Sequence, residues 1–238
     1  MSETTAPRIV DTGTDETLFD HLLGGYFQLV LLHDQNDLGQ LGNCPALDDL
    51  RKIAFHVRIN RPMSMFARCW LLVEGETEIW LLSELAQICG YSLRAEGVRI
   101  IEFAQCGQAP LIKVARDFGI EWHLLTDGDE AGAKYASSAR SLLKGERERD
   151  RLTQLPSADI EHYLYQNGFE AVFRREAGVG GRSTLNAGRI ISKAIHHRSK
   201  PGLALAVVEE AERLGSEHIP PMLKQMFARV VALARGQS

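Results

Sequence analysis

Two apolar runs, CWLLVEGETE over residues 69–78 and EWHLLTDGDEAG over residues 121–132, each end in a cluster of acids. Trp70 to Val73 and Trp122 to Leu125 are too short and too apolar for surface helices, and each runs into a glycine turn, so both read as buried strands. In an open α/β sheet the carboxyl edge of the strands is where ligands bind, so Glu74, Asp127 and Asp129 meet in one crevice if the two strands are neighbours. Carboxylates held that close either raise one another's pKa or bind a divalent cation. Magnesium takes one or two carboxylates, keeps several waters and leaves room for phosphate oxygens. The pattern therefore points to metal-assisted phosphoryl transfer.

From Cys69 onward strands and helices alternate, which predicts an α/β fold with a mainly parallel sheet and helices on its faces. Strand Cys69 to Glu74 leads to a helix with Ile79, Leu82, Ala86 and Cys89 on one side, stopped by Gly90. Strand Val98 to Phe103 leads to a helix with Leu111, Val114, Ala115 and Phe118, stopped by Gly119. Strand Glu121 to Thr126 leads to a helix with Tyr135, Ala139 and Leu142, and a short strand near Arg151 to Leu155 precedes LPSADIEHYL. Right-handed crossovers complete a Rossmann-like unit. After Gly168 the strands stop, and residues 185–197, 202–214 and 221–235 carry helical spacing. The expected division is 1–68, a mostly helical segment that reads as a linker or the remnant of a preceding domain; 69–167, the α/β domain; and 168–238, a helical subdomain with a basic patch.

The 238 residues are 45% apolar with a net charge of -4, enough for one large domain or two small ones. Cys44, Cys69, Cys89 and Cys106 form no CxxC pair and no zinc-like spacing with histidine, and read as reduced, buried and cytosolic. The first residues lack the basic flank and apolar core of a signal peptide, and no apolar run is long enough to span a bilayer, so a cytoplasmic chain without membrane contact is expected.

Mild acidity excludes coating nucleic acid by bulk charge, so such contact needs a local patch. The stretch from Arg174 to Lys200 supplies one: Arg174, Arg175, Arg182, Arg189, Lys193, Arg198 and Lys200 face the single acid Glu176. This is the candidate DNA surface. The other charge run, KGERERDR over residues 144–151, mixes both signs and reads as a solvated helix end. GVGGRST over residues 178–184 lacks the lysine and spacing of a phosphate loop and reads as a glycine turn. His196 and His197 are adjacent on a helix, point in different directions and make a poor chelate.

Within the acid clusters the spacing is specific. Gly75 permits a tight turn, and Glu78 lies about one helical turn beyond Glu74, facing the same cleft. Asp127 and Asp129 flank Gly128 at an i and i+2 spacing that points both side chains one way, although Asp129 also suits a helix N-cap. Glu76 and Glu130 read as exposed first-turn glutamates favoured by the helix dipole.

VEGETE after one strand and LLTDGDEAG after a later one resemble the Toprim domain of topoisomerases, primases and several nucleases, in which a glutamate and a DxD pair bind magnesium. Together with IEFAQCG, LPSADIEHYLYQNGFEAVF and KAIHHRSKPGLALAVVEEA, they resemble the carboxyl-terminal half of the class 2 OLD (overcoming lysogenization defect) nucleases over roughly residues 50–235. The resemblance implies a Toprim domain over 69–167 and a metal-dependent DNA endonuclease. Glu74, Asp127 and Asp129 match the Toprim metal ligands, and Glu78 and Glu161 match the extra acids of the OLD pattern. Asp159 is an outer ligand or the N-cap of the helix from Ile160.

Two divalent ions, Mg2+ or Mn2+, about 4 Å apart would need carboxylates on both sides. Lys200, before Pro201 in RSKPGLAL, matches an OLD lysine expected to steady charge on the scissile phosphate. Intact OLD proteins carry an ABC-type ATPase ahead of the Toprim half, whereas this sequence holds no ATP-binding loop, as a fragment of a longer chain or a naturally short protein would. DNA, such an ATPase domain and a second copy of the chain are the expected partners. The alternative is a non-catalytic Toprim module that binds magnesium and docks nucleic acid or a protein.

Overall fold

The computed structural model describes residues 62–180 and 183–237. The expectations for residues 1–61 and for Arg182 lie outside these. Four strands, β1 (Cys69–Val73), β2 (Val98–Glu102), β3 (Glu121–Thr126) and β4 (Leu152–Gln154), form one sheet in the order β2-β1-β3-β4. All three pairings are parallel. The helices between them are α1 (Glu76–Ile88), α2 (Gln108–Asp117), α3 (Glu130–Ser141) and the single turn α4 (Glu148–Arg151). After β4 come α5 (Ile160–Leu164), a π-helical turn (Tyr165–Phe169), α6 (Glu170–Glu176), α7 (Ala187–Leu214) and α8 (Pro221–Ala234).

Strand alternation sorts the core into two layers. Cys69, Leu71 and Val73 face one side, where they join Leu82 and Leu85 of α1, Phe173 of α6, Val207 of α7 and Phe227 of α8 in one apolar cluster. Trp70, Leu72 and Leu124 face the other, against Leu111 and Ala115 of α2 and Ala136 and Ala139 of α3. Both faces of the sheet are thus covered, which is why its strands read as continuous apolar runs rather than alternating ones. The helices after Phe169 are built onto the first face, and their apolar cluster is continuous with β1. No helix among the described residues is long and apolar enough to cross a membrane. Cys69, Cys89 and Cys106 are free thiols.

Strand order decides where a site can form. The chain leaves β1 for β2 on one side and returns to place β3 on the other, so the crossovers diverge between β1 and β3 and open a crevice at their carboxyl ends. The short β4 is held to β3 by a buried polar link. Burial lowers the His123 pKa to about 4, so the ring is neutral; its Nδ1–H donates to the Asp150 carbonyl at 3.0 Å, and its bare Nε2 accepts from the Thr153 hydroxyl at 2.8 Å. Arg151 adds a bond to the Trp122 carbonyl at 3.1 Å and ion pairs to Glu121 and Glu146.

The seven-residue α6 carries too few turns to announce itself by periodicity, and it adds Phe173 to the core. The two helical spacings at 185–197 and 202–214 fall in the two halves of α7, which breaks at Ser199.

Because Phe173 is buried in the cluster that contains β1, Phe173→Ala is expected to cost about 3–5 kcal/mol. Far-ultraviolet circular dichroism and the fluorescence of the buried Trp70 and Trp122 should then melt together at a lowered temperature. A drop in the dichroism transition alone would mean that the carboxyl-terminal helices fold apart from the sheet.

Candidate functional site

Glu74 follows β1 directly and Asp127 follows β3 directly, and the register pairs Leu72 with Leu124, so both acids leave adjacent strands at the same edge. The turn that carries Asp127 and Asp129 is clamped from two directions. Gly128 donates its N–H to the Ser157 carbonyl at 2.9 Å, and a Cβ there would lie 2.4 Å from the Leu155 carbonyl oxygen. A Cβ on Gly132 would lie 2.1 Å from the Asp127 carbonyl oxygen. Only glycine allows these approaches. The Gly128 contacts hold the loop after β4 against the acid turn, and with it Asp159 and Glu161 at the start of α5.

Each acid has a local tether. Glu78 accepts from the Gly75 N–H at 2.5 Å, the glutamate half of a capping box at the start of α1. Asp129 caps α3 by accepting from the Gly132 N–H at 2.7 Å. Asp159 caps α5 by accepting from the His162 N–H at 2.7 Å, and the same oxygen meets His162 Nδ1 at 2.7 Å. Glu161 is buried and lies 3.0 Å from Lys200 Nζ. One oxygen of Glu74 and one of Glu161 are buried with no hydrogen-bond partner among the described residues. Glu76 is exposed, and Glu130 pairs with Lys134 on the solvent side of α3.

The acids act on one another strongly. Burial, then repulsion from Glu78, Glu74, Asp159 and Glu161, pushes Asp127 up to about 8. Burial outweighs the Gly75 hydrogen bond at Glu78, and with repulsion from Glu161 and Glu74 it pushes that carboxyl up to about 7. Glu74 is raised by burial and by Asp129, with Lys200 opposing. Burial disfavours the charge on Lys200, yet the hydrogen bond and charge of Glu161, joined by Asp159 and Glu78, prevail and raise its pKa. Six acids and one lysine from β1, α1, β3, α5 and α7 therefore share one electrostatic environment.

Lys200 reaches Glu161 because α7 is broken just before it. Ser199 has φ 64 and ψ 163, and it is the single non-glycine residue with positive φ among the described residues. That region is nearly glycine-only and costs about 1–3 kcal/mol. Pro201 follows, where the missing N–H and fixed φ suit a fresh helix start. The strain at Ser199 had no signal in the sequence beyond the following lysine and proline. Gly128 and Gly132 were visible as glycines, but the carbonyls that crowd them come from other parts of the fold.

The basic stretch is less free than its composition implies. Arg174 pairs with Glu170 at 2.6 Å, while Arg198 and Arg175 both pair with Glu176, at 2.6 and 3.0 Å, and Arg175 also approaches Glu210 at 3.7 Å. Glu176 belongs to the stretch, whereas Glu170 one turn before it and Glu210 on the far half of α7 lie outside a count along it. Arg189 and Lys193 are exposed and make no side-chain ion pair among the described residues.

The donor set suits a hard divalent cation, since the acids repel one another and two buried carboxylate oxygens lack partners. As the side chains stand, no three His, Cys, Asp or Glu among the described residues converge to hold an ion. Asp129, Asp159, Glu78 and Glu161 are each turned toward the hydrogen bond or ion pair named above.

Residues 65–129 match the family model described as overcoming lysogenization defect protein-like, TOPRIM domain. The uncharacterized protein YbjD of Escherichia coli (strain K12) is 56% identical over 195 residues, covering 81% of this chain. The chain spans 35% of that relative's length. Among solved structures, the carboxyl-terminal region of the Burkholderia pseudomallei OLD protein matches with a TM-score of 0.56 at 20% identity, over 69% of this chain and 97% of that one. The corresponding region of the Xanthomonas campestris pv. campestris OLD protein matches with a TM-score of 0.57 at 17% identity, over 73% and 99%. These likenesses bear out the Toprim fold with its all-parallel sheet.

Raised carboxyl pKa values make stability fall with pH. Between the ordinary carboxylate range and about 8 the folded chain binds more protons at Glu78 and Asp127 than the unfolded chain does. The stability they contribute is full at acid pH and is lost as pH rises through that window. Asp127→Asn should therefore gain in melting temperature over the intact metal-free protein between pH 5 and pH 8, and magnesium should raise the intact protein's melting temperature more at pH 8 than at pH 5. Thermal melts in chelator and in magnesium check this, and equal differences at both pH values would refute it.

Proposed function

We propose, on the premise that this chain belongs to the OLD-like Toprim family, that it is the catalytic part of a metal-dependent endonuclease that hydrolyses phosphodiester bonds in DNA. The observation that carries this reading is the crevice between β1 and β3, where burial and then the repulsion of four neighbouring acids push Asp127 up to about 8. Carboxylates gathered in this way favour a bound cation. Glu74, Glu78, Asp127, Asp129 and Glu161 are the residues assigned to hold two divalent ions, with Asp159 behind them through its cap on α5. When bound, such ions neutralise phosphate charge and make water nucleophilic near neutral pH.

The chain's own contributions follow from its geometry. Both strand-end acids are borne by a rigid sheet, so a phosphodiester set against them is held with little freedom to turn away. Lys200 offers a cation at the rim of the crevice. In the substrate-free arrangement it is engaged by Glu161 at 3.0 Å. Once a phosphate occupies the crevice, the ammonium is in position to steady negative charge on the scissile group and its leaving oxygen. Arg189 and Lys193, exposed on the first half of α7, are assigned to the DNA backbone, while Arg174, Arg175 and Arg198 contribute a weaker field because acids already engage them. An ABC-type ATPase domain, where the full protein carries one, would be the partner of this half.

A non-catalytic reading has one observation in its favour: no three ligands converge as the side chains stand. Under it the crevice would bind magnesium for structure, and the helices would dock nucleic acid or protein.

Nicking of supercoiled plasmid in magnesium, manganese or calcium separates the two. Metal-dependent nicking that falls roughly 100-fold or more in Asp127→Ala and in Lys200→Ala is expected. Loss in Asp127→Ala with full activity in Lys200→Ala would remove the lysine from the chemistry. Absence of cleavage by folded protein in every metal would favour the docking module.

A further inference from the structure

The charge run at residues 144–151 reads in sequence as a solvated helix end. In the fold it lies against α8, and the two border a groove of about 230 Å3 along β4. Arg149 and Arg229 line it together with the polar side chains of Thr153, Gln154 and Gln225 over an apolar floor of Leu152, Met222 and Met226, and no acid lines it. Around it the charge balance is uneven. Arg147, Arg149 and Arg229 approach a single carboxylate, Asp150, at 2.7, 3.9 and 3.8 Å. Arg229 is set in place by its hydrogen bond to the Arg149 carbonyl, so its guanidinium is anchored on the groove wall.

Three guanidiniums on one carboxylate leave positive charge that an anion would offset. In the stretch from Arg174 to Arg198, by contrast, Glu170, Glu176 and Glu210 engage Arg174, Arg175 and Arg198. Position strengthens the case. β4 is the edge strand, and Gln154, its last residue and part of the groove lining, pairs in register with Thr126, the residue before Asp127. Neighbouring strands lie about 4.8 Å apart, so the groove opens beside the acid turn. Guanidinium forks beside side-chain amides are groups that bind phosphate and sugar without reading sequence.

We propose that the groove between β4 and α8 is a phosphate-backbone subsite that carries a DNA strand along the sheet edge to the acid crevice. This assignment rests on the nuclease reading and adds to it the direction from which the substrate enters.

The test is binding of a fluorescein-labelled DNA duplex in calcium by fluorescence anisotropy over a range of salt concentrations, with the duplex checked for cleavage on a gel. Arg149→Glu changes an exposed side chain, and Gln225→Glu is isosteric and also exposed, so both variants should melt like the intact protein. Each is expected to weaken binding roughly tenfold near 0.1 M salt. Arg149→Glu should also flatten the slope of log affinity against log salt by about 1, while Arg149→Lys retains the binding of the intact protein. If both glutamate variants bind with the affinity and slope of the intact protein, the groove is not a DNA subsite, although the nuclease reading stands. If the intact protein neither binds the duplex nor nicks plasmid, the nuclease reading falls and the subsite falls with it.

Discussion

Repulsion among carboxylates gathered at the carboxyl ends of two adjacent strands is the constraint around which this structure is arranged. Asp127 feels Glu78, Glu74, Asp159 and Glu161, and burial removes the water that would otherwise screen them. Left alone, such a cluster would loosen the carboxyl edge of the sheet. What opposes it is local and specific. Backbone N–H groups of Gly75, Gly132 and His162 bind three of the acids, and Lys200 binds a fourth. Two glycines let the turns approach more closely than any side chain would permit. The tension held in this arrangement is what the proposed divalent cations would relieve.

The carboxyl-terminal helices serve the same end. They cover one face of the sheet with a cluster that includes Phe173, Val207 and Phe227, which gives α7 a fixed seat on the sheet. A straight helix on that seat would not be obliged to present Lys200 to the acids. The break at Ser199 restarts the helix at that point and turns the lysine onto Glu161. Strain at one residue is tolerated because both halves of the helix are packed: Ile190, Ile191 and Ala194 are buried before it, and Leu203 and Val207 after it. On the opposite side of the crevice, the neutral His123 and the ion-paired Arg151 tie β4 to β3, so the loop that bears Asp159 and Glu161 is positioned by the sheet rather than by its own sequence.

The stretch at residues 174–200 shows how a count along the chain differs from the charge left free in space. Along residues 174–200 cations outnumber acids heavily, yet Glu170 lies one helical turn away from Arg174, and Glu210 comes from the far half of α7. Conversely, the run from Lys144 to Arg151 looks balanced in sequence, but the fold brings Arg229 to it from a distant helix and leaves Asp150 shared among three arginines. Net charge along a segment is a sum over neighbours in the chain. The field a ligand meets is a sum over neighbours in space, screened beyond about 10 Å.

The sequence by itself determined the strands, the helices that alternate with them and the two acid clusters at strand ends, because burial on both faces and turn chemistry write their pattern locally. It also carried, through the VEGETE and LLTDGDEAG segments, the resemblance to the Toprim domain that residues 65–129 match. Only the tertiary structure decided the rest. The strand order β2-β1-β3-β4 made the two acid-bearing strands neighbours, the carbonyls of Asp127 and Leu155 made Gly132 and Gly128 irreplaceable, and the break at Ser199 turned Lys200 onto Glu161. Each of these is a distance between residues far apart in the chain or a dihedral angle held by packing, and a pattern of residue types records neither.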